Sequence, residues 1–236
     1  MKLGIIGAMT VEIETLKANM QNMTETARCG MTFYQGCLEQ LPVVLVVCGV
    51  GKVNAAICVQ ILCDCFDVTH IVNTGVAGSL CAELDIGDFV ISSDAMYHDF
   101  DCSVLSNAYP VGQVPGVAVH AFPADEELTA CAYEAAQQIH AGHARIGRIA
   151  SGDQFVSTQE QKSKIVCNTS ALCTEMEGTA VAHAAWRNGV PFVVIRAISD
   201  KADDSAQMDY PTFEAIAAKR CAAVTQRMSA LLYRMK

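Results

Sequence analysis

Positive charge is scarce in this 236-residue chain, which carries 16 Lys and Arg against 25 Asp and Glu, a formal net charge of −9. Charged residues of both signs make up only 17% of it. The basic residues do not cluster, so there is no electrostatic footprint for phosphate backbones, and nucleic acid is excluded as a partner. A small neutral substrate fits better. Long uncharged apolar runs are also missing. The first one, Leu3 to Met9, is followed at once by Glu12 and Glu14. It is too short for a secretory core and far too short to span a bilayer. No membrane partner is expected, and the cytosol is the expected compartment. Linkers, internal repeats and low-complexity tracts are lacking as well.

Twelve cysteines are present, but no Cys-x-x-Cys; only Cys63-Asp64-Cys65 comes near a pair. Cys48, Cys58, Cys63, Cys131, Cys173 and Cys221 fall inside apolar periodic segments, where a thiol behaves as a small core residue. Without an export signal, free thiols are expected rather than disulfides or metal ligands.

The apolar content, 52% of residues, is enough to bury a sizeable core. Its pattern alternates between strand-like and helix-like runs. Strands are expected at Leu3 to Gly7, Thr32 to Leu38, Pro42 to Cys48, His70 to Thr74, Phe89 to Ser92, Ala144 to Ala150 and Phe192 to Ala197. The last is a continuous β-branched run that suits a strand buried on both faces. Helices are expected from about Met9 to Met20, Val53 to Phe66, Glu126 to Ile139, Gln159 to Cys167, Gly178 to Asn188 and Tyr210 to Met235. The alternation predicts one α/β domain, a three-layer α/β/α sandwich around a central mixed sheet. The rhythm breaks from about Asp101 to Asp125, where Pro110, Pro115 and Pro123 punctuate a long loop of functional character.

Ligands of open α/β sheets gather where strands end, and four such ends stand out. Gly4 to Met9 (GIIGAM) leads to Glu12, a carboxylate in a first helical turn. By itself that is an ordinary helix-dipole charge, and Gly-x-Gly-x-x-Gly is absent. Cys48 to Ala56 (CGVGKVNAA) resembles the end of a P-loop but has Val46 and Val53 where the pattern needs Gly and Ser or Thr. Its glycines instead permit a tight turn or close backbone approach. Asn73 to Leu80 (NTGVAGSL) offers small residues as a floor for a flat ligand. The fourth group joins SGDQF (151–155), TEMEG (174–178) and RAISDKAD (196–203). Glu175 and Glu177, two apart, share one face of an extended chain. Carboxylates against an apolar sheet need partners, and Arg196 can neutralise one of them. A pair of salt bridges at a sheet edge would explain the same pattern without any ligand.

Taken together these stretches, with SSDAMYHDFD (92–101), PFVVIRAISDKAD (191–203) and the ending Phe213 to Lys219, resemble the bacterial 5′-methylthioadenosine/S-adenosylhomocysteine nucleosidases. The resemblance covers essentially the full length. It implies that Glu12 orients and deprotonates the attacking water and that Asp200, steadied by Ser199, protonates adenine N7. Glu177 would accept the ribose hydroxyls and Met176 would pack on the ribose. Phe155 would stack on the base, with backbone around Phe155 and Val156 reading its edge. Met9, Val50 and Tyr210 would line the 5′-thio pocket, Arg196 would support the water and carboxylate network, and Glu175 is expected among the substrate-binding residues. Val76 stands where many relatives have Ser, and Tyr210 where several have Phe. The resemblance further implies a homodimer. Val111, Val114, Val117, Val119 and Phe122 give the long loop an apolar character that suits an interface.

The chemistry needs no metal or organic cofactor: a departing adenine wants a proton, and carboxylates steady an oxocarbenium-like sugar. A phosphorylase of the same fold would want cations near the glycine loops, yet the first 140 residues hold one arginine, Arg28. An AMP nucleosidase would need cations where Met9 and Val50 stand. A non-catalytic nucleoside sensor would not need Glu12 and Asp200 together. An aminofutalosine substrate stays open.

Overall fold

The structure is a computed structural model describing residues 1–106 and 108–235. Asn107, inside the expected loop, and Lys236, at the end of the chain, lie outside the described residues. The chain order is β1 (Leu3–Gly7), α1 (Thr10–Ala18), β2 (Gln21–Arg28), β3 (Met31–Leu38), β4 (Leu41–Val47), α2 (Lys52–Phe66), β5 (His70–Ser79), β6 (Phe89–Tyr97), β7 (Phe122–Pro123), α3 (Glu126–Ile139), β8 (Ala144–Ser151), α4 (Gln159–Thr169), β9 (Cys173–Glu175), α5 (Gly178–Asn188), β10 (Phe192–Asp200) and α6 (Ala206–Arg234).

Strict alternation of apolar residues builds the layers. Leu3 and Ile5 of β1, Val43 and Leu45 of β4, and Val193 and Ile195 of β10 face the core shared with α1, α3 and α6. Their neighbours Ile6, Val44, Val46 and Val194 face the opposite core, shared with α2 and α5. With a period of two, each strand feeds both layers. The expected α/β/α sandwich with a mixed sheet is what the chain forms. Strands β1, β4, β5 and β10 run parallel, whereas β6 is antiparallel to β10 and β9 to β5.

One feature lies beyond the sequence pattern. The pairings β5–β10, β10–β6, β6–β8, β8–β9 and β9–β5 close on themselves, so half the sheet curls into a small barrel. The barrel lengthens β5 past the expected Thr74 to Ser79 and β10 past Ala197 to Asp200. NTGVAGSL is therefore mostly strand rather than turn.

An unexpected strand, β2, forms the sheet edge. Its sequence QNMTETAR is exposed along nearly its whole length, so it carries no apolar alternation to read. Helix α6 starts four residues before the expected Tyr210. Pro211 sits in its second turn, a position that mimics a helix start in sequence. The described residues of the 101–125 stretch form a loop apart from β7. Its apolar residues are mostly covered by its own chain: Val117 and Phe122 are buried, and Val114 and Val119 pack on the core. They are not the exposed patch that the interface argument supposed; Val104 and Leu105, 93% and 72% exposed, are. All 12 cysteines are free thiols; Cys48, Cys58, Cys131, Cys173 and Cys221 are buried and Cys63 half-buried. Among the described residues no helix is long and apolar enough to cross a membrane.

Candidate active site

A cleft of about 570 Å³, counted out to its open mouth, lies where β1, β5, β9 and β10 end. Its floor comes from Val76, Ala77 and Gly78 of β5.

Glu12 reaches this floor from α1. Its Oε2 accepts the amides of Ala8 (2.7 Å) and Met9 (2.9 Å), and its Oε1 accepts that of Val76 (3.2 Å). The carboxyl is 4% exposed. Burial raises its pKa, opposed by the charge of Arg196 and the three amides. Gly75 makes the position possible, because a Cβ there would stand 2.4 Å from Glu12 Oε1. Gly78 does the same for Asp200, whose Oδ1 would lie 2.7 Å from an added Cβ. Asp200 ends β10. Its Oδ1 accepts Ala202 N–H at 2.8 Å and its Oδ2 accepts the Ser199 hydroxyl at 2.9 Å. Burial pushes its pKa up against those two bonds.

Glu175 and Glu177 do not share a face. Glu175, at the end of β9, curls under the start of α5. It accepts the amides of Glu177 and Gly178, the Ser151 hydroxyl and Arg196 Nη2. Burial would raise its pKa, but Arg196, Ser151 and the Gly178 amide outweigh burial and hold it below the usual value. Glu177 is the N-cap residue of α5, with φ −129° and ψ −37°. That backbone turn sends its side chain to the other side, where Oε1 accepts Gly51 N–H at 2.6 Å. Its Oε2 takes no hydrogen bond from the described residues, and Glu177 lines the cleft. Burial, with the Glu175 charge added, raises the Glu177 pKa.

Arg196 lies one layer behind the wall. It is 2% exposed, donates to Asn73 O (3.3 Å), Asn73 Oδ1 (2.5 Å) and Glu175, and is absent from the lining. Asn73 is itself anchored by donating to Ile6 O at 3.0 Å. One guanidinium thus serves three buried carboxylates, pairing with Glu175 and acting through space on Glu12 and Glu177. Toward the mouth, Phe155 and Tyr210 meet edge to face with ring centres 5.4 Å apart. The Tyr210 hydroxyl donates to Glu214 at 2.8 Å and lies 3.6 Å from Met9 Sδ.

A family model of the phosphorylase superfamily matches residues 2–230. A 5′-methylthioadenosine/S-adenosylhomocysteine nucleosidase of Staphylococcus aureus is 39% identical over 231 residues, covering 98% of both chains. The chain belongs to this nucleosidase family. The solved nucleosidase of Colwellia psychrerythraea, in complex with adenine, superposes with a TM-score of 0.94 at 38% identity, covering 98% of this chain and 96% of that one. The futalosine hydrolase of Helicobacter pylori superposes at 0.90 with 34% identity, covering 96% of each.

Met9, Glu12, Val50, Val76, Phe155, Val156, Glu175, Met176, Glu177, Ser199, Asp200 and Tyr210, all expected as site residues, line one cleft. Arg196 alone of the expected residues stands behind it. Gln154 and Thr174 also line the nucleosidase cleft and were not singled out. Both lie inside motifs already read, SGDQF and TEMEG, next to residues that drew attention by charge or ring. The role of Gly75 and Gly78 in making room for carboxylates was legible only as generic smallness.

Proposed function

We propose that this protein hydrolyses the N-glycosidic bond of 5′-methylthioadenosine and S-adenosylhomocysteine. Water adds to the anomeric carbon as the bond to adenine breaks, giving adenine and a 5-thio-substituted ribose in methionine salvage and methyl-cycle recycling. The observation that carries this reading is the lining of the cleft: four carboxylates, Glu12, Glu175, Glu177 and Asp200, with no Lys, Arg or His. A phosphate nucleophile entering there would meet like charge and no cation. A sugar acquiring positive charge would meet the reverse.

In this reading Glu12 takes the proton of the attacking water. Three amides fix its position, and burial leaves it a stronger base than a solvated carboxylate. Burial shifts Asp200 toward its protonated form, and once the purine is bound beside it the carboxyl passes a proton to N7. Ser199 and the Ala202 amide orient the carboxyl. Glu177 Oε2 accepts the ribose hydroxyls, while Glu175, saturated by its own chain, keeps Arg196 in place beneath. Met176 packs on the ribose, Phe155 stacks on the base beside Val156, and Val76 leaves the water site without a neighbouring hydroxyl. Met9, Val50 and Tyr210 surround the 5′ sulfur. No step calls for a metal or cofactor.

The test is incubation of the purified protein with each nucleoside, with and without phosphate, followed by identification of the sugar. Equal rates and an unphosphorylated reducing sugar are expected; a strict phosphate requirement would refute the reading. Aminofutalosine belongs in the same series, given the likeness to the Helicobacter hydrolase. The working unit in this reading is a homodimer joined around the exposed Val104–Leu105 loop, and sedimentation at micromolar concentration that showed only monomer would refute that part.

A further inference from the structure

Three loops at strand ends form one rim beside the cleft, and a single lysine ties them together. Lys52 opens α2 just after β4, while Asp99 follows β6 and Asp153 follows β8 by two residues each. Lys52 Nζ lies 2.6 Å from Asp99 Oδ2 and 3.7 Å from Asp153 Oδ2, and 5.4 Å from the centre of the Tyr97 ring. The backbone reinforces the join. Lys52 N–H donates to Asp153 Oδ1 at 2.9 Å, and Asp153 N–H donates to Asp99 Oδ2 at 2.9 Å. The amide one residue earlier, Gly51 N–H, is the one that donates to Glu177 Oε1. Two consecutive amides at the amino end of α2 therefore hold two carboxylates, one in the rim and one in the cleft.

We propose that Lys52, through Asp99 and Asp153, is a positioning residue for ribose recognition. The ammonium offsets the repulsion between two carboxylates that meet across the rim. With it in place Asp153 stays on Lys52 N–H, the turn at Gly51 keeps its place, and Gly51 holds Glu177 Oε1 so that Oε2 is left for the sugar. Gly51 has little freedom to compensate: its φ is +99°, and a Cβ there would stand 3.2 Å from Asp153 Oδ1. An exposed pair would be worth little, but the Lys52 and Asp99 side chains are only 23% and 13% exposed. The proposal rests on the nucleosidase reading, in which Glu177 meets the ribose hydroxyls.

Lys52→Met removes the ammonium but keeps its aliphatic stem. The measurement is calorimetric affinity for three probes: adenine, a 7-deaza 5′-methylthio nucleoside with no N7 to protonate, and its 2′,3′-dideoxy counterpart. Lys52→Met should bind the full nucleoside about tenfold more weakly, the size of one compromised hydrogen bond to a charged group. Adenine affinity should stay within about twofold, below one such bond. The dideoxy nucleoside should show little of the loss, and Lys52→Arg should restore most of it. If Lys52→Met does not fold, Asp99→Asn should show a smaller loss with the same selectivity. Equal weakening of adenine and nucleoside, or no weakening of either, would overturn the proposal. Binding is read without turnover, so a wild-type protein that bound these probes but released no adenine from 5′-methylthioadenosine would refute the nucleosidase reading while the affinity pattern still decided the role of Lys52.

Discussion

Gly75→Ala adds one methyl group to a strand whose backbone tolerates alanine, since Gly75 is not among the positive-φ glycines. The new Cβ would lie 2.4 Å from Glu12 Oε1, 3.0 Å from Glu12 Cδ and 3.3 Å from Arg196 Nη1. Ordinary contact begins near 3.4 Å, so the carboxylate must retreat by about 1 Å. Retreat breaks the 3.2 Å bond from Val76 N–H first, since it is the longest of the three and lies on the affected oxygen. A displacement of that size typically costs about 10²-fold in rate. Full loss of a general base costs about 10²–10⁴-fold. The expected fall in kcat therefore lies between about 30-fold and 10³-fold, with the cooperative thermal transition retained. The assay is adenine release under saturating nucleoside, run as a cycle with Glu12→Gln. If the methyl acts through Glu12, Gly75→Ala should add almost nothing on top of Glu12→Gln. Two results would refute the reasoning: kcat within about threefold of wild type, too small for a displaced base, or equal losses in both backgrounds.

The other predictions concern proton positions. Asp200→Asn keeps an oxygen for Ala202 N–H but has no acidic proton, so kcat should fall about 10²–10⁴-fold with nucleoside affinity kept; more than about a tenth of the activity surviving would mean the donor is misassigned. Because the acid works protonated and burial raises the Asp200 pKa, wild-type kcat should decline as pH rises through it. Asp200→Asn should lack that alkaline limb, which a pH–rate profile would show. Glu177 also has a raised folded pKa, so its ionisation weakens the fold at high pH, whereas below its unfolded pKa both states are protonated. Glu177→Gln should therefore raise stability by on the order of 1–3 kcal/mol near pH 9 and by little near pH 4. Urea denaturation at the two pH values checks this, and a gain of equal size at both would contradict it. Glu177→Ala should weaken nucleoside binding as well as turnover, because the ribose loses its acceptor; calorimetric affinity equal to wild type would contradict the assignment.

How far the site could be read from sequence depended on whether a residue's reason lay near it in the chain. Glu175, Glu177 and Asp200 are acidic residues at the ends of apolar strands, an arrangement costly enough to demand partners, whereas Glu12 by itself reads as an ordinary helix-dipole charge. What they lean on was hidden. Gly75 and Glu12 are 63 positions apart by number, and Arg196 comes beside Gly75 only through the pairing of β5 with β10. Glu175 and Glu177 would share a face in an extended chain, but the chain turns into α5 at Glu177 and divides the pair. β2 was illegible because an exposed edge strand needs no alternation, and the true start of α6 was masked by Pro211.

The division of that carboxylate pair is the step that lets the site work. Two buried carboxylates on one face, served by one arginine, would compete for it. The turn at Glu177 gives the one direct carboxylate pairing of Arg196, with the Ser151 hydroxyl and two amides, to Glu175, whose pKa is held below the usual value. Glu177 receives one amide, and its second oxygen is left for a ligand. Burial, with the charge of Glu175 added, disfavours ionisation of Glu177. In the proposed reaction, ribose hydroxyl donors and then the oxocarbenium-like charge of the sugar would favour the ionised form, which is the differential binding that catalysis requires.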